Sequence, residues 1–124
     1  MISFKKESRF YLYRVSDDGA IFSRCILIGE EKILVGRGEL AGVRILEDVS
    51  LSGEHFSVRL RNGTVVISDL HSTNGTYVND QRLTGEWVLT PRDRVRAGRS
   101  HFTISAKLAA RIALAKQSAR KTAK

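Results

Sequence analysis

Turn-forming residues punctuate this sequence at short intervals, and the apolar runs between them are short. Asp17-Asp18-Gly19, Asn62-Gly63, Asn74-Gly75, Asn79-Asp80, Pro91-Arg92-Asp93 and Gly98 mark the interruptions. An Asp-Gly or Asn-Gly pair between apolar runs is a strong hairpin signal, because these residues tolerate the positive φ that a two-residue hairpin turn requires. The runs between the turns predict strands at 9–15, 20–28, 32–35, 43–46, 56–60, 64–70, 76–78, 87–89, 95–97 and 101–105. Within 9–15, Phe10 and Leu12 fall on one side and Tyr11, Tyr13 and Val15 on the other. That period of two is the pattern of a strand. Ten or so short strands argue for a β-sandwich or barrel, with Trp87 expected in its interior.

At 124 residues the chain fits one domain, and 42% hydrophobic with 27% charged residues is a globular composition. No apolar run approaches the roughly 18 residues of a membrane span. Lys5, Lys6, Glu7 and Arg9 occupy the stretch where a signal peptide would be apolar, and Cys25 has no second cysteine to pair with. Both features predict a cytoplasmic setting.

The net charge of +8 is concentrated at one end. Residues 106–124 hold six basic residues and no acidic one, which leaves 15 basic against 13 acidic residues in 1–105. The tail also holds seven alanines and neither glycine nor proline, so it is expected to be helical. The predicted organisation is a β-domain at 1–105 and a basic Ala/Lys-rich helical tail at 106–124. Such a tail is drawn to phosphate backbones, anionic lipid or acidic protein surfaces.

Three stretches carry chemistry: Gly36-Arg37 after a predicted strand, Ser52-Gly53-Glu54-His55 before one, and Ser72-Thr73-Asn74-Gly75-Thr76 followed by Val78-Asn79. All lie at strand-to-loop junctions, where a rigid scaffold holds variable loops. Together they offer a guanidinium, several hydroxyls and two carboxamides. A guanidinium chelates phosphate oxygens, hydroxyls add neutral donors, and a carboxamide both donates to and accepts from a peptide main chain.

These stretches resemble the forkhead-associated (FHA) domain family, a phosphothreonine-peptide-binding module. The matching pattern is Gly-Arg, then Ser-x-x-His, then Ser-x-Asn-Gly-Thr-x-Val-Asn. The resemblance covers roughly residues 33–105 by motif. It implies an all-β, two-sheet β-sandwich of about eleven short strands. It implies phosphopeptide-binding roles for Arg37, Ser52, Thr73 and Asn74, with the Gly53 backbone beside them. Gly36, His55, Gly75 and Asn79 are implied supports of the binding loops. The implied partners are a phosphothreonine-containing protein and an upstream Ser/Thr kinase. No cofactor and no metal are implied.

Gly53 departs from the pattern, since many members place a basic or amide residue directly after the motif serine. A phosphate-independent, FHA-like protein-interaction domain is therefore one alternative. The other is nucleic-acid or anionic-surface binding through the tail. Nucleic acid is not the expected partner, because the tail has no aromatic residue for base stacking. Enzymatic activity is not expected either. There is no Gly-x-Ser-x-Gly elbow around Ser52 and no phosphate-binding Gly-Lys-Ser/Thr loop, and His55, His71, His101 and Cys25 lack metal-ligand spacing.

Overall fold

The computed structural model describes residues 9–16 and 26–106. The predicted turn at 17–19, the first part of the strand expected at 20–28, and the tail from residue 107 lie outside the described residues.

Eleven strands are described: β1 Phe10–Val15, β2 Ile26–Ile28, β3 Ile33–Gly36, β4 Val43–Arg44, β5 Phe56–Arg61, β6 Thr64–Asp69, β7 Thr76–Val78, β8 Gln81–Arg82, β9 Glu86–Leu89, β10 Val95–Ala97 and β11 Ser100–Ala106. They form two sheets, one in the order β2-β1-β11-β10-β7-β8 and the other β4-β3-β5-β6-β9. Neighbours pair antiparallel except β3 with β4, where Val35 lies beside Val43 in a parallel register. No helix occurs among the described residues. Ala106, assigned to the tail from sequence, is the last residue of β11 and pairs with Phe10.

Alternation builds the core. In β11, Ser100, Phe102 and Ile104 are buried while His101, Thr103 and Ser105 are half-buried. In β5, Phe56 and Val58 face inward opposite Ile67 and Asp69 of β6. Phe56 from one sheet meets Phe102 from the other edge to face, with ring centroids 5.3 Å apart. This geometry suits the positive edge and negative face of the two rings. Val35, Phe56, Val58, Val65, Ile67, Val95, Phe102 and Ile104 fill the space between the sheets.

The turns follow their chemistry. Asn62 and Gly63 have φ of 52° and 80° and join β5 to β6. Asn79 and Asp80 have φ of 51° and 69° and join β7 to β8. Both are the left-handed pairs that match the right-handed twist of a hairpin.

Trp87 is not in the core; it is 45% exposed. It sits on β9, the edge of the five-stranded sheet, paired with Ile67 on one side only. At this seam β8 is likewise the edge of its sheet. Trp87 lines an open cavity of about 260 Å³ there, with Val78, Arg82 and Leu83. An interior strand would have been covered on both sides.

Candidate functional site

Three loops converge at one end of the sandwich: 37–42 after β3, 45–55 before β5, and 70–75 before β7. The first two run side by side. The Arg37 amide donates to the Ser52 carbonyl at 3.0 Å and the Gly38 amide to the Gly53 carbonyl at 2.9 Å. Gly36 permits this approach, because a Cβ there would drive into the Gly53 carbonyl and lie 2.7 Å from the Ser52 oxygen. Nine in ten real Cβ contacts are longer than 3.4 Å.

His55 fastens the second loop to the third. Its ring is fully buried. Nδ1 accepts from the Ser52 amide at 3.0 Å. With Nδ1 accepting, the proton sits on Nε2, which donates to the Gly75 carbonyl at 2.8 Å. Above it, the Thr73 amide donates to Ser52 Oγ at 2.9 Å. Asn74 Nδ2 donates to the Ser50 carbonyl at 3.0 Å. Gly75 takes φ of 86°, and its amide donates to Ser72 Oγ at 3.0 Å.

Two carboxylates brace these loops from beneath, and neither stood out as a site residue in the sequence. Asp69 accepts from the Ser72 hydroxyl at 2.5 Å, the Thr76 hydroxyl at 2.6 Å and the Ser72 amide at 3.2 Å. Asp48 accepts from the Ser50 amide at 3.0 Å, the Arg99 amide at 2.8 Å and the Ser100 hydroxyl at 2.6 Å. Burial pushes both carboxyls up, but these hydrogen bonds outweigh it. Both titrate below the ordinary aspartate value. Ser-x-Asn-Gly-Thr preceded by Asp-Leu carried the signal for Asp69, since an aspartate three residues before a serine suits a local side-chain turn. Asp48 reaches a turn about fifty residues away, which no local pattern reveals.

Asn79 stands apart from the three loops. Its Nδ2 donates to Asp93 Oδ1 at 2.8 Å and its Oδ1 accepts from the Arg94 amide at 2.9 Å. It ties the β7–β8 turn to the segment before β10.

The arrangement leaves a group of donors without partners among the described residues. Arg37 is exposed, and among the described residues its guanidinium is engaged only through Nε, 3.4 Å from the Leu51 carbonyl. The Ser52 hydroxyl accepts from Thr73 but donates to no protein atom among the described residues. Thr73, Asn74 and Gly53 are exposed on the same loops. The Asp48 and Asp69 carboxylates nearby have their oxygens occupied by hydrogen bonds of their own. Among the described residues, no group of three or more His, Cys, Asp or Glu is placed to hold a metal ion. No helix among them is long and apolar enough to cross a membrane.

This sandwich, with three loops laced through a buried histidine, is the architecture of an FHA domain. The sequence family described as FHA domain matches residues 33–98, more than half of the chain, and the chain belongs to that family. FHA domain-containing protein FhaA of Mycobacterium tuberculosis is 35% identical over 88 residues, covering 71% of this chain and 16% of FhaA. The crystal structure of the FhaA FHA domain complexed with the intracellular domain of Rv3910 is 32% identical, with a TM-score of 0.66, covering 77% of this chain and 99% of that one. A structure from an analysis of phosphothreonine-dependent FHA domain interactions is 31% identical, with a TM-score of 0.65, covering 78% of this chain and 94% of that one. The chain thus spans under a fifth of FhaA's length.

Proposed function

We propose that this domain captures a phosphothreonine-bearing segment of a partner protein, marked by a Ser/Thr kinase, in the cytoplasm. The observation that carries this reading is the cluster of uncommitted donors on Arg37, Ser52, Gly53 and Thr73, with the Asn74 carboxamide oxygen beside them and the Asp48 and Asp69 carboxylates already occupied by hydrogen bonds. Such a cluster suits a dianion, and a phosphate carries about −1.5 to −2 charges near pH 7.

Each residue has a distinct part. The Arg37 guanidinium supplies the pocket's cation. The Ser52 hydroxyl, oriented by the Thr73 amide, points its proton at a phosphate oxygen. The Gly53 amide and the Thr73 hydroxyl add neutral donors. Asn74 keeps its carboxamide oxygen for the peptide main chain, because Nδ2 is anchored on Ser50. Gly36, His55 and Gly75 hold the loops, Asn79 holds the β7–β8 turn, and none of the four touches the ligand. The activity is binding, not turnover: His55 has both ring nitrogens engaged in loop contacts and so lacks the free nitrogen a general base needs. Threonine is preferred over serine if a niche takes the γ-methyl, worth about 0.8 kcal/mol of burial. The basic tail from residue 107 contributes charge but not phosphate specificity.

Titration with matched peptide pools carrying phosphothreonine, phosphoserine or unmodified threonine tests the reading. Binding to the phosphothreonine pool, weaker binding to the phosphoserine pool and none to the unmodified pool is expected. Equal binding to all three pools would show a phosphate-independent interaction domain, and binding that depends only on total peptide charge would point to the tail.

A further inference from the structure

Arg82 of β8 is a cation that neither the fold nor the proposed phosphate pocket employs. Its guanidinium lies against Gly75, the residue after Asn74. A Cβ on Gly75 would be 2.8 Å from Arg82 Nε and 2.9 Å from its Cζ, so only glycine lets the group lie so close. The neighbouring cation on this face is spent differently, because Arg96 stacks 4.1 Å from the centroid of the Tyr77 ring. Glu86 lines the same seam as Arg82, yet its carboxylate is held by Arg61 at 2.7 Å. Arg82 is exposed and has no hydrogen-bond or ion-pair partner among the described residues.

Its position relative to Arg37 is informative. Arg37 belongs to the loop hydrogen-bonded along Ser52 and Gly53. Arg82 covers the loop that supplies Thr73, Asn74 and Gly75. One cation therefore belongs to the loop paired with Ser52, and the other lies against the loop of Thr73, the two loops that meet at the Ser52–Thr73 contact. The exposed acidic residues of these loops are Glu39, Glu47 and Glu54, all on the first two loops, and Glu47 is held by Arg14. Asn74, the residue assigned to the peptide main chain, is followed directly by Gly75, against which Arg82 lies.

We propose that Arg82 is a specificity-determining residue that contacts a second anionic group, a carboxylate or a further phosphate, on a residue flanking the phosphothreonine. The inference rests on the phosphothreonine reading above. Exposed ion pairs contribute little, so the expected preference is modest, about two- to fivefold, and it weakens with salt.

The test uses peptides with one fixed phosphothreonine and alanine at all flanking positions, into which a glutamate is moved one position at a time. A second series replaces the glutamate with phosphoserine. The full chain and its Arg82→Gln and Arg82→Lys variants are titrated with each peptide. Tighter binding of the full chain at one or two adjacent glutamate or phosphoserine positions, lost in Arg82→Gln and retained in Arg82→Lys, is the expected result. The series that shows it names the anion's source. The all-alanine phosphopeptide should bind all three proteins alike, which shows that the variants are folded and the phosphate pocket intact. No acidic preference in the full chain, or one that persists in Arg82→Gln, overturns the role of Arg82 while leaving phosphate capture standing. Failure of every phosphothreonine peptide to bind overturns both.

Discussion

The Thr73 amide donates a 2.9 Å hydrogen bond to Ser52 Oγ, joining two loops twenty-one residues apart in sequence. The contact occupies an acceptor site of the hydroxyl and leaves its proton for a ligand. Ser52→Ala removes both the junction and the donor. Hydrogen bonds to a charged group contribute about 1.5–3 kcal/mol, so phosphopeptide affinity should fall at least about tenfold. The loss of fold stability should be near 1 kcal/mol, the worth of one neutral hydrogen bond. Isothermal titration and urea unfolding of the same variant separate the two effects.

His55 should behave in the opposite way. It is fully buried, bridges Ser52 to Gly75, and touches Phe56 edge to face. His55→Ala leaves a cavity and two backbone groups without partners. A loss of roughly 3–4 kcal/mol is expected, visible as a fall in Tm of roughly 10 °C or more. A variant that loses binding with unchanged Tm would make His55 a ligand contact instead of a brace.

Gly36 and Gly53 face each other across the first two loops but answer to different constraints. Gly36→Ala forces a Cβ into the Gly53 carbonyl, and overpacking of this kind costs about 1–3 kcal/mol. At Gly53 an added Cβ meets nothing closer than 3.8 Å, and its φ lies outside the left-handed region. Gly53→Arg should therefore leave stability within about 0.5 kcal/mol of the parent. By restoring a charged donor beside the phosphate it should tighten phosphopeptide binding about tenfold at low salt. Thermal melts and titrations of the pair check both halves.

Asp48 and Asp69 set the acid limit of the fold. Both carboxyls sit below the ordinary value of 3.8, despite burial, because hydroxyls and amides donate to the charged form. A depressed folded pKa stabilises the protein above the unfolded value and is lost as pH falls through the folded one. Stability should be level above about pH 5 and decline progressively below pH 4. Asp69→Asn should flatten that decline at the cost of lower stability at pH 7. Urea midpoints measured from pH 2 to pH 7 give the curve.

The strands were legible wherever alternation and turn chemistry agreed. The Asn62-Gly63 hairpin and the inward Phe102 and Ile104 of β11 follow from residue order alone. β8 was not legible, because Gln81 and Arg82 form a strand only by lying beside Tyr77 and Val78. Trp87 was misplaced for a related reason: its apolar neighbours mark a strand but not whether that strand is an edge. At the site, the motif residues named Ser52, His55, Thr73 and Asn74 as a group, and the structure brings them together. Their bracing by Asp48, and the approach of Arg82 to Gly75, are contacts between distant segments that no local pattern encodes.

Amide chemical-shift mapping with a phosphothreonine peptide tests the central claim most directly. The account predicts the largest shifts at Arg37, Ser52, Gly53, Thr73 and Asn74, and none of that size with the unphosphorylated peptide. Shifts confined to the Trp87 seam or to residues 107–124, or identical maps from both peptides, would contradict it.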